Sequence, residues 1–208
     1  MTDSTEIITK LPELPVIEIV DDLIQVYKEF MVIRAALQLG LFDWMAEHGS
    51  ATIDEISTGT GIRQEFMASL MGMLFYLDLV RRNDEKYGLS PAANLHFVKK
   101  SLLYQGDVIL SLSTEETPWT CFSEYLTHPE EKGTFEPRNP HALASQAEEE
   151  IRGMVRNITI VISRWQGFAD ATQFLELGCG HGLYAIAACQ VNPSLKATVY
   201  QPPGSSLL

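Results

Sequence analysis

Apolar side chains recur at three- and four-residue steps from Asp21: Leu23, Val26, Tyr27, Phe30, Ile33, Leu37 and Leu41. That period predicts a helix closing near Gly40. The apolar stripe is wider than a surface helix needs, so it is buried either in its own core or against another subunit. After Phe42 to Ala46, the run Thr52-Ile53-Asp54-Glu55 has the spacing of a capping box and predicts a short helix ending near Gly59 to Gly61. Arg63 to Leu77 reads as a longer helix, with Phe66, Leu70, Met73, Leu74 and Leu77 on one side. Leu79 to Arg82 and Tyr87 to Leu89, separated by the polar Asn83 to Lys86, predict a hairpin.

Helix, short helix, longer helix and hairpin form a winged-helix arrangement over residues 21–100. Residues 1–20, with Pro12 and Pro15 and no period, read as an N-terminal arm. Residues 101–170 read as a helical connector. Within it Trp119, Phe122 and Tyr125 sit at helical steps, a spacing typical of core aromatics. His128 to Pro140 reads as a loop. Leu143, Ala147, Ile151, Met154, Val155, Ile158, Val161, Ile162 and Trp165 then predict one long helix with Glu148, Glu149 and Glu150 facing solvent.

The final segment, 171–208, changes period. Gln173 to Leu177 reads as a strand, Leu183 to Val191 as a helix, Asn192-Pro193 as a turn and Lys196 to Tyr200 as a second, parallel strand. Between the first strand and the helix lies Glu176-Leu177-Gly178-Cys179-Gly180-His181-Gly182. Glycine at such a turn lets the backbone adopt positive φ and approach a ligand with no side chain between them. The helix N-terminus beyond it offers N–H donors to a polar ligand. A dinucleotide turn is spaced G-x-G-x-x-G or A. Here the place three residues after Gly180 is Leu183, and the third glycine comes one residue early. A glycine turn in some other α/β unit stays open at this point.

Composition narrows the partners. Fifteen basic against 27 acidic side chains give a net charge of −12, which repels phosphate backbones and anionic lipid surfaces. The helix in the recognition position of the winged helix, Gln64 to Met73, has no Lys or Arg after Arg63, and only Arg81, Arg82 and Lys86 are basic on the wing. Nucleic acid is therefore not an expected partner, and a DNA-binding regulator is the weaker alternative. No apolar run reaches membrane-spanning length and the N-terminus has no signal pattern. Cys121, Cys179 and Cys189 lack metal-type spacing and imply reduced thiols and a cytoplasmic setting.

The acid-x-G-x-G-x-G pattern resembles the glycine motif of S-adenosylmethionine-dependent methyltransferases of Rossmann-like fold. The run Phe30 to Asp43, the helix at Thr52 to Ile56 and the strand Tyr87-Gly88-Leu89-Ser90 resemble the N-terminal dimerisation domain of class I small-molecule O-methyltransferases. The two parts occur in the family's order. The resemblance implies a mainly α winged-helix dimerisation domain followed by the start of an α/β Rossmann-like methyltransferase domain, and a homodimer formed through the N-terminal helices. It implies S-adenosyl-L-methionine as cofactor, a small hydroxylated aromatic or polyketide-like acceptor, and cofactor-binding positions at Glu176, Gly178, Cys179, Gly180, Gly182 and Gln201. At residue 201 the family usually has an acid for the ribose hydroxyls, so Gln201 forgoes charge assistance of ~1–2 kcal/mol. The family's base is a histidine well downstream of the glycine motif. None of His48, His96, His128, His141 and His181 matches it, so no catalytic residue is assigned. The expectation is a methyltransferase chain truncated after its first βαβ unit, with a non-catalytic dimerisation module as the alternative; Met154 and Trp165 are candidates for lining an acceptor pocket.

Overall fold

The computed structural model describes residues 15–112, 119–128, 141–178 and 180–200. The first helix, α1, runs Pro15–Gln38, six residues earlier than the periodicity from Asp21 indicates. Pro15 at the first helical position and Glu18 in the first turn are favourable starts for a helix, and they explain the earlier onset. Gly40 at φ 67° turns the chain into α2, Leu41–His48. The short β1, Ala51–Thr52, leads into α3, Ile53–Thr60, whose start is a complete capping box between Thr52 and Glu55. Helix α4, Gln64–Tyr76, and the hairpin of β2, Val80–Asn83, with β3, Lys86–Leu89, follow the expected order. β3 lies between β1 and β2, antiparallel to both. Helix α5, Pro91–His96, is capped by the buried Ser90, whose hydroxyl accepts from Ala93 N–H at 3.1 Å.

These elements enclose one core. Leu41, Phe42, Met45, Ile56, Met67, Met71, Leu74 and Val80 are almost fully buried in it, and Ala36 and Leu37 from the second half of α1 close one side. The first half of α1 does not enter this core: Ile19, Leu23, Val26 and Tyr27 stand 64%, 67%, 62% and 64% exposed.

Helices α6, Gly106–Leu112, α7, Phe122–Thr127, α8, Ala142–Ile151, and α9, Met154–Ser163, form the connector. Three expectations change here. The single long helix is two, broken at Arg152-Gly153, where glycine is a poor helix former and the Gly153 N–H closes a turn on Glu150 O at 3.2 Å. Trp119 and Phe122 pack at a tilt with ring centroids 5.8 Å apart but are mostly exposed, so they are not core. The three glutamates do not share a solvent face: Glu148 is 9% exposed and Glu150 is partly buried.

Glu148 joins α8 to α6. Its Oε2 accepts from Val108 N–H at 3.0 Å, and its carboxyl adjoins Asp107, which is itself hydrogen-bonded to His141. Burial pushes the Glu148 pKa up to about 8; the Val108 N–H opposes the rise and the Asp107 charge adds to it. The folded chain thus holds a proton that the unfolded carboxyl releases near its ordinary value. The stabilisation is complete below that ordinary value and is lost as pH rises through 8. Thermal melting of wild type should therefore fall between pH 6 and 8.5 relative to Glu148→Gln, by on the order of 2 kcal/mol. Parallel pH profiles for the two proteins would contradict this.

Strand β4, Gln173–Leu177, helix α10, Leu183–Val191, and strand β5, Lys196–Tyr200, complete the described chain. The strands pair in parallel, Glu176 opposite Val199 and Leu177 opposite Tyr200. A small second core of Phe168, Ala188 and Leu195 lies beneath α10, closed by Asn192 Nδ2 donating to Phe168 O at 2.7 Å and Ala171 O at 3.1 Å.

Candidate functional site

The turn between β4 and α10 is built from backbone conformations that L side chains avoid. Gly178, Gly180 and Gly182 have φ of 68°, 58° and 70°. A Cβ on Gly180 would stand 2.8 Å from Leu143 Cδ1 of α8, so a side chain there would be both strained and crowded. The Gly178 N–H donates to Tyr200 O at 2.8 Å, which brings the end of β5 beside the turn.

Glu176 closes the turn from below. It is 8% exposed, and its Oε2 accepts from Ala185 N–H in the first turn of α10 at 2.7 Å. Oε1 of the same carboxylate is buried and has no hydrogen-bond partner among the described residues. An unpartnered carboxylate oxygen is costly when buried, and a cationic or N–H-bearing ligand would satisfy it.

His181, inside the glycine loop, turns its ring into the protein. Its side chain is 4% exposed. Nδ1 accepts from Leu183 N–H at 3.2 Å, and Nε2 lies 3.2 Å from Glu150 Oε2, off the line of an ideal hydrogen bond. Tyr184 and Gln146 also bond the Glu150 carboxylate, Gln146 Nε2 at 3.3 Å from Oε1. Burial alone would raise the Glu150 pKa, but these bonds and His181 outweigh it and hold the group below its ordinary value. Burial, with the Glu150 bond, pushes the Tyr184 hydroxyl up to about 12, so it stays a donor at neutral pH.

The structure therefore brings together Glu176, Gly178, Gly180 and Gly182. Cys179 and Gln201 lie outside the described residues. Met154 and Trp165 are 53% and 66% exposed, and neither is part of a packed wall. Glu150, Tyr184 and the His181 ring are additions that periodicity could not supply, because their partners come from different elements.

An apolar hollow of about 530 Å³ runs from Gly182 along α10 to β5, lined by Ala185, Ile186, Cys189, Ala197 and Val199. A larger one, about 680 Å³, lies beside α2 and α3 among Trp44, His48, Asp54, Glu55 and Lys86. There Glu55 already caps Thr52 and His48 Nδ1 already meets Trp44 O at 2.8 Å, so polar groups lining it are engaged within the fold. Among the described residues no group of three or more His, Cys, Asp or Glu could hold a metal, and no helix is long and apolar enough to cross a membrane.

Residues 21–99 match the family model of the O-methyltransferase dimerisation domain. The chain is 24% identical over 190 residues to the N,N-dimethyltransferase OxyT of Streptomyces rimosus, covering 85% of this chain and 54% of that protein. Its fold is similar to that of an O-methyltransferase family protein from Burkholderia thailandensis, at TM-score 0.72 and 20% identity over 93% of this chain and 58% of that one. It is equally similar to human N-acetylserotonin methyltransferase solved with SAM, at TM-score 0.73 and 16% identity over 93% and 61%. The chain spans about half the length of the curated relatives it matches.

Proposed function

We propose that this chain carries the dimerisation domain and the cofactor turn of an S-adenosylmethionine-dependent O-methyltransferase, acting on a small hydroxylated aromatic or polyketide-like acceptor. On this reading residues 21–100 form a winged helix used for pairing with a second copy rather than for DNA, and β4, α10 and β5 are the first βαβ unit of a Rossmann-like domain. The observation that carries it is the turn itself: three positive-φ glycines after a strand, above a buried Glu176 with one oxygen unpartnered among the described residues. The match of residues 21–99 to a dimerisation domain supports it independently.

The residues fit the cofactor's amino-acid end. Its ammonium would meet the open Glu176 oxygen, and the glycine backbone at 178, 180 and 182 would lie against the rest of the chain with no Cβ between. Cys179 belongs to the same loop by sequence, and Gln201 follows the strand end that Gly178 ties to the turn. When bound, the cofactor supplies an electrophilic methyl group; what this chain adds is a fixed position for the donor, and positioning dominates the rate of such in-line displacements. S-adenosylhomocysteine titrated calorimetrically into the chain should bind with micromolar affinity, about −8 kcal/mol. Heat indistinguishable from dilution at high micromolar protein would refute the reading.

A further inference from the structure

The residues that surround the glycine turn include one set that no cofactor contact explains, the contact of α8 with the turn. Leu143, Gln146 and Glu150 recur at helical steps along α8 and present one edge to the turn: Leu143 beside Gly180, Gln146 bonded to Glu150, and Glu150 against His181 and Tyr184. The His181 ring has a neighbour at each nitrogen, a hydrogen bond from Leu183 N–H at Nδ1 and a close polar contact with Glu150 Oε2, 3.2 Å from Nε2. Because Nδ1 accepts a hydrogen bond from Leu183 N–H, it carries no proton, so a neutral ring carries its proton on Nε2, the nitrogen facing Glu150. One imidazole thus joins the first N–H of α10 to a carboxylate on the connector helix.

We propose that Glu150 and His181 are positioning residues that fasten the cofactor turn to α8 and hold its backbone in the binding conformation. The consequence is mechanical. Gly178, Gly180 and Gly182 have large conformational freedom, and ordering them on ligand binding would cost affinity. With the buried His181 ring set between Leu183 N–H and Glu150, the central part of the turn is ordered beforehand. The anchor comes from the connector, so any displacement of α8 relative to the small core under α10 is felt at the turn. This inference rests on the turn being the cofactor site.

A double-mutant cycle tests it. Glu150→Ala removes the carboxylate. His181→Asn keeps a side-chain acceptor two residues before Leu183 but is too short to reach Glu150. Each should weaken S-adenosylhomocysteine about tenfold, and the double variant should be no weaker than either alone. Glu150→Gln, which retains an acceptor oxygen, should stay within threefold of wild type. Single variants at wild-type affinity, or effects that multiply in the double, would overturn the proposal. Nitrogen-15 spectra of the ligand-free protein decide the anchor separately. They should show His181 Nδ1 unprotonated and Nε2 protonated in wild type, and the same tautomer in Glu150→Ala with a shifted Nε2 resonance and faster exchange of its proton with water. A mixture already in wild type would overturn the anchor. If wild type shows the anchored tautomer but binds no S-adenosylhomocysteine, the cofactor reading fails, and with it the positioning role.

Discussion

Gly180→Val should abolish measurable binding of S-adenosylhomocysteine, a loss of at least about 100-fold, or ~3 kcal/mol, while leaving the chain folded. Two effects combine at this position. At φ 58° a β-branched residue is strained by about 1–3 kcal/mol, so the turn would relax toward negative φ and take its backbone away from the ligand. If the backbone instead held, the new side chain would displace the Leu143 methyl that now packs beside the turn, 2.8 Å from the Cβ position. Either route disturbs the site. The core around Phe42, Met71 and Leu74 is a separate cluster from that of Phe168, Ala188 and Leu195, so the main thermal transition should survive. Gly72→Ala is the matching control. That helical glycine has nothing within 4 Å of its missing Cβ and should leave affinity unchanged.

Leu23→Asp combined with Val26→Asp should convert a dimer into a monomer in sedimentation at micromolar concentration, weakening association at least about 100-fold. Ile19, Leu23, Val26 and Tyr27 present an apolar face that the chain's own core leaves uncovered. Burying each such side chain against a partner is worth about 1.5–3 kcal/mol, and a charge placed there would be buried without a counter-ion. Residues 36 and 37, on the same helix, belong to the core, so the substitutions sit away from what holds the domain together. A double variant that sediments as the wild type does would contradict the assignment of pairing to this face.

Local signals in the sequence carried most of the architecture. The 3.6-residue period placed α4, the Thr52 and Glu55 pair placed the start of α3, and the shift to short apolar runs around alternating glycines placed β4, α10 and β5. These features depend on residues within a few positions of one another, and such signals survive without tertiary information. The connector shows the opposite case. Three consecutive glutamates read as a solvated face, yet Glu148 found an N–H on α6 and Glu150 found His181 and Tyr184 across the chain. Charge alone predicts exposure, and only the packed structure reveals a partner that makes burial tolerable. The break at Gly153 was visible in principle, because a glycine inside a helical pattern costs about 1 kcal/mol relative to alanine, but the apolar stripe on both sides masked it. At the site, the glycines and Glu176 were readable from spacing. The open oxygen of Glu176, and the buried ring of His181 between Leu183 N–H and Glu150, were not.

The central claim, that the β4 to α10 turn holds the cofactor, is tested most directly by mapping where it sits. Methyl-tritiated S-adenosylmethionine would be photocrosslinked to the native chain, which would then be digested with trypsin. Cleavage after Arg164 and Lys196 releases residues 165–196 as one peptide containing the whole turn. The account predicts label in that peptide or its immediate C-terminal neighbour, competed away by unlabelled S-adenosylhomocysteine. Competable label confined to the peptides around Trp44, Asp54 and Lys86 would place the cofactor in the other hollow and contradict it.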